Sequence, residues 1–251
     1  MKNLVLCDDC EIEQTAKLCK QNNFGIEIQG FYDPKLYENN PEIIGDYNKL
    51  IDGVEFVSLH APFCDLCPGT TDALIREATM KRFELAYEIA VKLNISHIVF
   101  HVGYVPGTGV PKNWAIRCAN FWKEFLEGKS EKMNYYLENV LEKTPEVSMA
   151  VISEINRPNV KACLDLGHAY CYSKTPLSEW IETLKDKIGY VHMHDNHGEK
   201  DEHLGFGEGD IPLLEVLTLL NLHAPEAIWA LECKTLSHLD SVEFLKINNF
   251  L

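Results

Sequence analysis

The sequence predicts a closed parallel barrel of eight strand and helix units, a single (β/α)8 TIM barrel spanning residues 1–251. Three observations predict it. Short apolar runs and amphipathic stretches alternate eight times, with no hairpin turn and no linker rich in Pro, Gly or Ser between them. The length, 251 residues, falls where such barrels usually fall. Most decisively, His60, His101, Glu138, Asp165, His192 and Glu232 each sit at or near the C-terminal end of an expected strand. In an open sheet the outermost of those ends would lie roughly 20 to 25 Å apart, at ~4.8 Å per strand, whereas a closed ring brings them to one mouth.

The elements follow in order. Leu4 to Cys7 reads as the first strand, Glu11 to Gln21 as a helix with Ile12, Ala16 and Cys19 at helical spacing, and Gly25 to Gly30 as the second strand. A helix within Pro41 to Ile51 is closed by Gly53 before a third strand over Val54 to His60. Thr71 to Leu93 is a long amphipathic helix leading into the strand His97 to His101, and Lys112 to Leu126 is the helix before the strand Met133 to Val140. Pro145 opens a helix to Ile155 from a tolerated first-turn position. Val160 to Asp165, the helix Leu177 to Lys185 and the apolar start Ile188, Tyr190, Val191 complete the next unit. Asp210 is expected to cap a helix running through Leu220, Ala227 to Glu232 is the eighth strand, and Ser237 to Leu245 the last helix.

Composition narrows the class. Hydrophobic residues at 46% and charged residues at 24% suit a globular core rather than disorder. The short start Met1 to Asp8 turns acidic too soon for a signal peptide, and no apolar run reaches membrane-spanning length, so a cytoplasmic protein is expected. A net charge of −15 repels polyanions and argues against non-specific nucleic-acid binding. The nine cysteines are odd in number and scattered, which fits reduced thiols better than a disulfide framework. Cys7/Cys10 and Cys64/Cys67 have the spacing from which a four-thiolate zinc site could be built, although buried free Cys is the commoner use.

The chemistry gathers in Tyr190-Val191-His192-Met193-His194-Asp195-Asn196-His197-Gly198, with Asp201-Glu202-His203 close behind. Alternation puts His192 and His194 on one strand face, and imidazole with nearby carboxylate is a ligand set for Mn²⁺, Co²⁺, Zn²⁺ or Fe²⁺. Taken singly, a strand-end His is more often bonded to backbone than to metal. Glu138 and Glu232, however, interrupt strongly apolar runs, where a carboxylate is costly unless paired or metal-bound. Asp165-Leu166-Gly167-His168 adds a carboxylate and an imidazole three residues apart. Gly205 to Asp210 lies where barrels often bind phosphate, but Glu208 and Asp210 would repel one, so a tight turn is expected there. Glu27, Gln29, Trp114 and the turn from Pro106 to Gly109 are candidates to line the pocket.

The blocks Leu59-His60-Ala61-Pro62-Phe63, Phe100-His101-Val102-Gly103, Leu137-Glu138-Asn139-Val140, Cys163-Leu164-Asp165-Leu166-Gly167-His168, Val191-His192-Met193-His194-Asp195-Asn196, Asp201-Glu202-His203-Leu204-Gly205 and Ala230-Leu231-Glu232 resemble the xylose isomerase-like superfamily of sugar and sugar-phosphate isomerases and epimerases, which also contains endonuclease IV. By that resemblance Glu138, Asp165, His192 and Glu232 correspond to the four ligands of one divalent ion in the ketose 3-epimerase branch. It further implies a metal-bound enediolate, with Glu138 and Glu232 as the acid/base pair and His168 stabilising charge on oxygen.

The resemblance also implies an alternative. His60, His101, Glu138, Asp165, His168, His192, Asp201, His203 and Glu232 match in type the nine ligands of the three-metal zinc site of endonuclease IV, an AP endonuclease and phosphodiesterase. Against it, Asn139-Val140-Leu141 and Leu166-Gly167 depart from that branch, and few basic residues are available for DNA in the expected strand-top loops. The expectation is therefore a small-molecule sugar or sugar-phosphate substrate and one to three divalent ions. Nucleic acid is expected as a partner only under the alternative. Members of the superfamily are often oligomers, so a homo-oligomer is possible. A barrel that binds without turnover would not need two opposed carboxylates.

Overall fold

The structure, a computed structural model, describes residues 4–251. Its chain order is β1 (Leu4–Cys7), α1 (Ile12–Asn22), β2 (Gly25–Ile28), α2 (Lys35–Glu38), α3 (Ile43–Ile51), β3 (Val57–His60), α4 (Ala73–Lys92), β4 (His97–His101), α5 (Pro111–Phe125), β5 (Asn134–Glu138), α6 (Glu146–Ile155), β6 (Val160–Asp165), α7 (Leu166–Tyr172), α8 (Leu177–Leu184), β7 (Ile188–Met193), α9 (Leu213–His223), β8 (Ile228–Leu231) and α10 (His238–Ile247). The eight strands are all parallel and close on themselves, β8 pairing with β1. The barrel stands as expected, with α2 and α7 as additional short helices. Among the described residues no helix is long and apolar enough to cross a membrane.

Two-residue periodicity explains both the core and the site. On each strand one set of side chains points outward into the layer of helices: Phe100 of β4 packs on Phe83 of α4 with ring centroids 4.6 Å apart and on Trp122 of α5 at 5.1 Å. The other set points into the lumen, where Val5, Cys7, Val99, Tyr136, Cys163, Tyr190, Ile228 and Ala230 form a packed plug. Two residues further along the same strands, in the same parity, stand His101 above Val99, Glu138 above Tyr136, Asp165 above Cys163, His192 above Tyr190 and Glu232 above Ala230. Register then makes neighbours of them, with His101 opposite Glu138 and Asp165 opposite His192.

Several expected boundaries move. The third strand starts at Val57 rather than Val54, and the fifth is Asn134–Glu138, shorter than Met133 to Val140. Asp210 does not cap α9, which begins at Leu213 behind Pro212 with no side-chain cap. Its backbone N–H is instead taken by the Asn196 carbonyl, and its own carbonyl by the Tyr170 hydroxyl, so the residue is spent in the preceding loop. α7 was not foreseen; its N-cap is Asp165 itself, whose Oδ1 accepts the His168 amide at 2.6 Å.

Candidate metal centre

Four side chains from four strand ends meet around one point. His192 Nδ1 lies 3.2 Å from Glu232 Oε2, 3.4 Å from Glu138 Oε2 and 3.8 Å from Asp165 Oδ2. All four groups are buried or nearly so, Glu232 being the most open at 11%. Donor atoms bound at about 2.1 Å to a common tetrahedral ion would stand roughly 3.4 Å from one another, and the three distances from His192 Nδ1 lie around that value. Three of these donors, Asp165 Oδ2, His192 Nδ1 and Glu232 Oε2, have no hydrogen-bond partner despite burial. Leaving three such groups unpaired would cost several kcal/mol in total, at roughly 1–3 kcal/mol each, so the arrangement fits a divalent cation.

Asp165 and Glu232 each have one oxygen fixed and one turned inward. Asp165 Oδ1 is held by the helix cap while Oδ2 faces His192. Glu232 Oε1 accepts from Gln29 Nε2 at 2.6 Å while Oε2 faces the same ring. Asn139 braces Asp165 from the next strand, its amide bonding both the backbone N–H and the carbonyl of that residue.

The remaining sequence-nominated residues surround this centre in two further groups. His60 Nε2 and His101 Nε2 approach Glu138 Oε2 at 3.1 and 3.5 Å, and the three residues form one potential ligand cluster. His168 Nε2 and His203 Nε2 approach Asp201 Oδ2 at 3.2 and 3.1 Å, forming another nearer the rim, where His203 is 34% exposed. The rings are oriented by backbone: Nδ1 of His60, His168 and His203 meets the carbonyls of Ala61, Asn139 and Glu232 at 3.0 Å or less. Donation from Nδ1 leaves each Nε2 lone pair facing a carboxylate, the tautomer a cation requires.

Electrostatics match a site built for positive charge. Burial opposes ionisation of Glu138, but His101 and His192 overcome it and hold its carboxyl well below the usual range. Burial likewise opposes Asp165, yet the neighbouring His168 and His194 bring it down to about 2. For Glu232 burial wins and its pKa is raised. Burial works against a charged His203, but its hydrogen bond to Asp201 and the nearby Glu232 push it up to about 10. His101, dominated by burial, falls to about 3.

Two further residues, Glu27 and His194, stand in the site. Glu27, placed on the expected pocket wall, stands fully buried inside β2 with its carboxylate on His192 Nε2. A charge in the apolar run Gly25-Ile26-Glu27-Ile28 is the same signal that singled out Glu138 and Glu232. His194 is fully buried, stacks on His203 with centroids 4.1 Å apart, and reaches within 3.4 Å of Asp165 Oδ1 and 3.5 Å of Asp201 Oδ1. Asp195, by contrast, holds the loop rather than facing the centre: it accepts backbone N–H bonds from Asn196, Gly207, Gly209 and Ile211. Trp114 packs beneath Gly69 and on Tyr104 as wall. Cys7 lies in the lumen with its thiol 3.6 Å from Glu27, whereas Cys10 is exposed. Above the centre opens a cavity of about 500 Å³ walled by Tyr32, Phe63, Val140, Leu141 and Tyr172, of a size for a small molecule.

Residues 24–246 match the family described as xylose isomerase-like TIM barrel. The chain belongs to that family. An uncharacterised protein of Methanocaldococcus jannaschii is 30% identical over 77% of this chain and 69% of its own. Fructoselysine 3-epimerase of Escherichia coli O157:H7 is 23% identical over 58% of this chain and 55% of its own. Among solved structures, a D-tagatose 3-epimerase-like protein superposes with a TM-score of 0.82 at 27% identity, covering 100% of this chain and 97% of that one. Two of these relatives carry the name of a sugar 3-epimerase or of a protein like one.

Proposed function

We propose that the chain is a divalent-metal-dependent isomerase or epimerase of a sugar or sugar phosphate, with Glu138 and Glu232 as its acid/base pair. What supports this is that both carboxylates reach one imidazole nitrogen, His192 Nδ1, from strands on either side of β7, at 3.4 and 3.2 Å. Glu138, Asp165, His192 and Glu232 would hold the ion, which when bound would polarise a ketone and its neighbouring hydroxyl and acidify the intervening C–H. One glutamate removes that proton and the other returns it. His168 lines the cavity, and with Nδ1 given to the Asn139 carbonyl it would donate toward charge developing on oxygen through a protonated Nε2. Phe63, Tyr32 and Leu141 give the cavity an apolar wall beside this centre.

A second reading has its own observation. The outer groups His60/His101/Glu138 and His168/Asp201/His203 are spaced as further cation sites, which favours a three-metal phosphodiesterase. Metal content per chain and a paired substrate screen decide between them. One tightly held ion, with epimerisation of ketoses or ketose phosphates that falls about 10²- to 10⁴-fold in Glu138→Gln and in Glu232→Gln, is the expected outcome. Three zinc ions and cleavage of an abasic site in duplex DNA would overturn it.

A further inference from the structure

Four of the rings that face a carboxylate are anchored in two ways. His60, His168 and His203 give their outer nitrogen to backbone carbonyls. His192 is turned the other way round, its Nε2 against a side-chain carboxylate, Glu27, at 3.0 and 3.1 Å to the two oxygens. Glu27 is fully buried, yet it is not an orphaned charge: beside His192 it accepts from the Cys7 thiol at 3.6 Å and from Gln29 Nε2 at 3.3 Å. The same Gln29 Nε2 donates to Glu232 Oε1 at 2.6 Å. A single strand end therefore touches two of the four central donors from behind, His192 directly and Glu232 through Gln29.

We propose that Glu27 is a positioning residue of the centre. Its carboxylate takes the Nε2–H of His192, fixes the tautomer with Nδ1 free, and by its charge makes that nitrogen a stronger donor than a carbonyl-anchored ring. Gln29 extends the same brace to Glu232, so β2 sets the geometry of a site to which it gives no ligand. A buried carboxylate that served only packing would face whichever polar group lay nearest; this one faces the rear of the one imidazole that lies among Glu138, Asp165 and Glu232. The proposal rests on the reading that His192 Nδ1 faces a divalent ion.

Zinc chloride titrated calorimetrically into chelator-stripped protein tests it without turnover. Zinc affinity is expected to fall about 10- to 100-fold in Glu27→Gln and to recover in part in Glu27→Asp, with the unfolding transition of each metal-free variant retained. ¹⁵N NMR of the imidazoles in zinc-loaded wild type gives an arm that needs no variant: the His192 proton is expected on Nε2 and the zinc on Nδ1. Unchanged affinity in Glu27→Gln, or zinc on Nε2, overturns the proposal and leaves the isomerase reading standing. Weakened zinc binding in the variant of a wild-type protein that epimerises no ketose does the reverse. A wild type that takes up no zinc overturns both.

Discussion

Asp195→Asn is the sharpest test of how the loop over the centre is held. Oδ1 of Asp195 accepts the amides of Asn196 at 2.9 Å and Ile211 at 3.1 Å; Oδ2 accepts those of Gly207 and Gly209, both at 3.0 Å. The side chain is fully buried, so water cannot substitute. Asparagine replaces one oxygen with an NH2 group, which cannot accept, and leaves two backbone N–H groups without a partner. At roughly 1–3 kcal/mol for each orphaned donor the cost is about 2–6 kcal/mol, a large part of a total stability on the order of 5–15 kcal/mol. Thermal unfolding should fall by roughly 5 to 20 °C for a chain of this size. The same loop carries Asp201 and His203, so hydrogen exchange over residues 201–209 should rise with it. A melting temperature within 2 °C of wild type would refute the account, because it would mean the two lost bonds carry no net stabilisation.

Other expectations follow from the same geometry. Gly167→Ala places a Cβ 1.9 Å from His194 Cε1, a buried ring already stacked on His203, and should cost about 1–3 kcal/mol or more in a urea titration; an unchanged midpoint would show that the ring can retreat. Under the three-ion reading, zinc affinity of the outer group should rise with pH up to about 10, because His203, raised from 6.5 to about 10 in the metal-free protein, must shed its proton to bind; a flat profile in titrations below pH 10 counts against that reading. The sign for stability is opposite: a raised imidazole stabilises the metal-free fold fully below pH 6.5, and that contribution is lost as pH climbs through about 10. Stripping the ion with a chelator should lower the melting temperature by roughly 5 to 10 °C relative to protein at about 100 times its dissociation constant, read by calorimetry; no shift would mean no ion is held.

The barrel was legible because its signal is repeated and local. Each strand is a four- to six-residue apolar run, and the polar residues at six ends make sense only if the ring closes. The gathering of Glu138, Asp165, His192 and Glu232 was legible for the same reason, strand-end parity. What escaped was set at long range. Glu27 and His192 stand 165 positions apart, and nothing near Glu27 announces its partner. Asp210 carries the local signature of a cap, yet Asn196 and Tyr170 claim its backbone, and Pro212 fixes where α9 can begin. α7 is only seven residues and opens Leu-Gly-His, too short and too weak a pattern to outweigh a turn, until Asp165 is seen to cap it.

The plug of Tyr136, Tyr190, Val99 and Ile228 beneath the centre makes the barrel a well with a sealed floor. Everything that reaches the acidic bottom, ion, sugar or proton-carrying water, enters and leaves by one doorway. An occupant of that doorway therefore shields whatever lies below it, and a chelator should strip the protein more slowly while a sugar is seated than while it stands open.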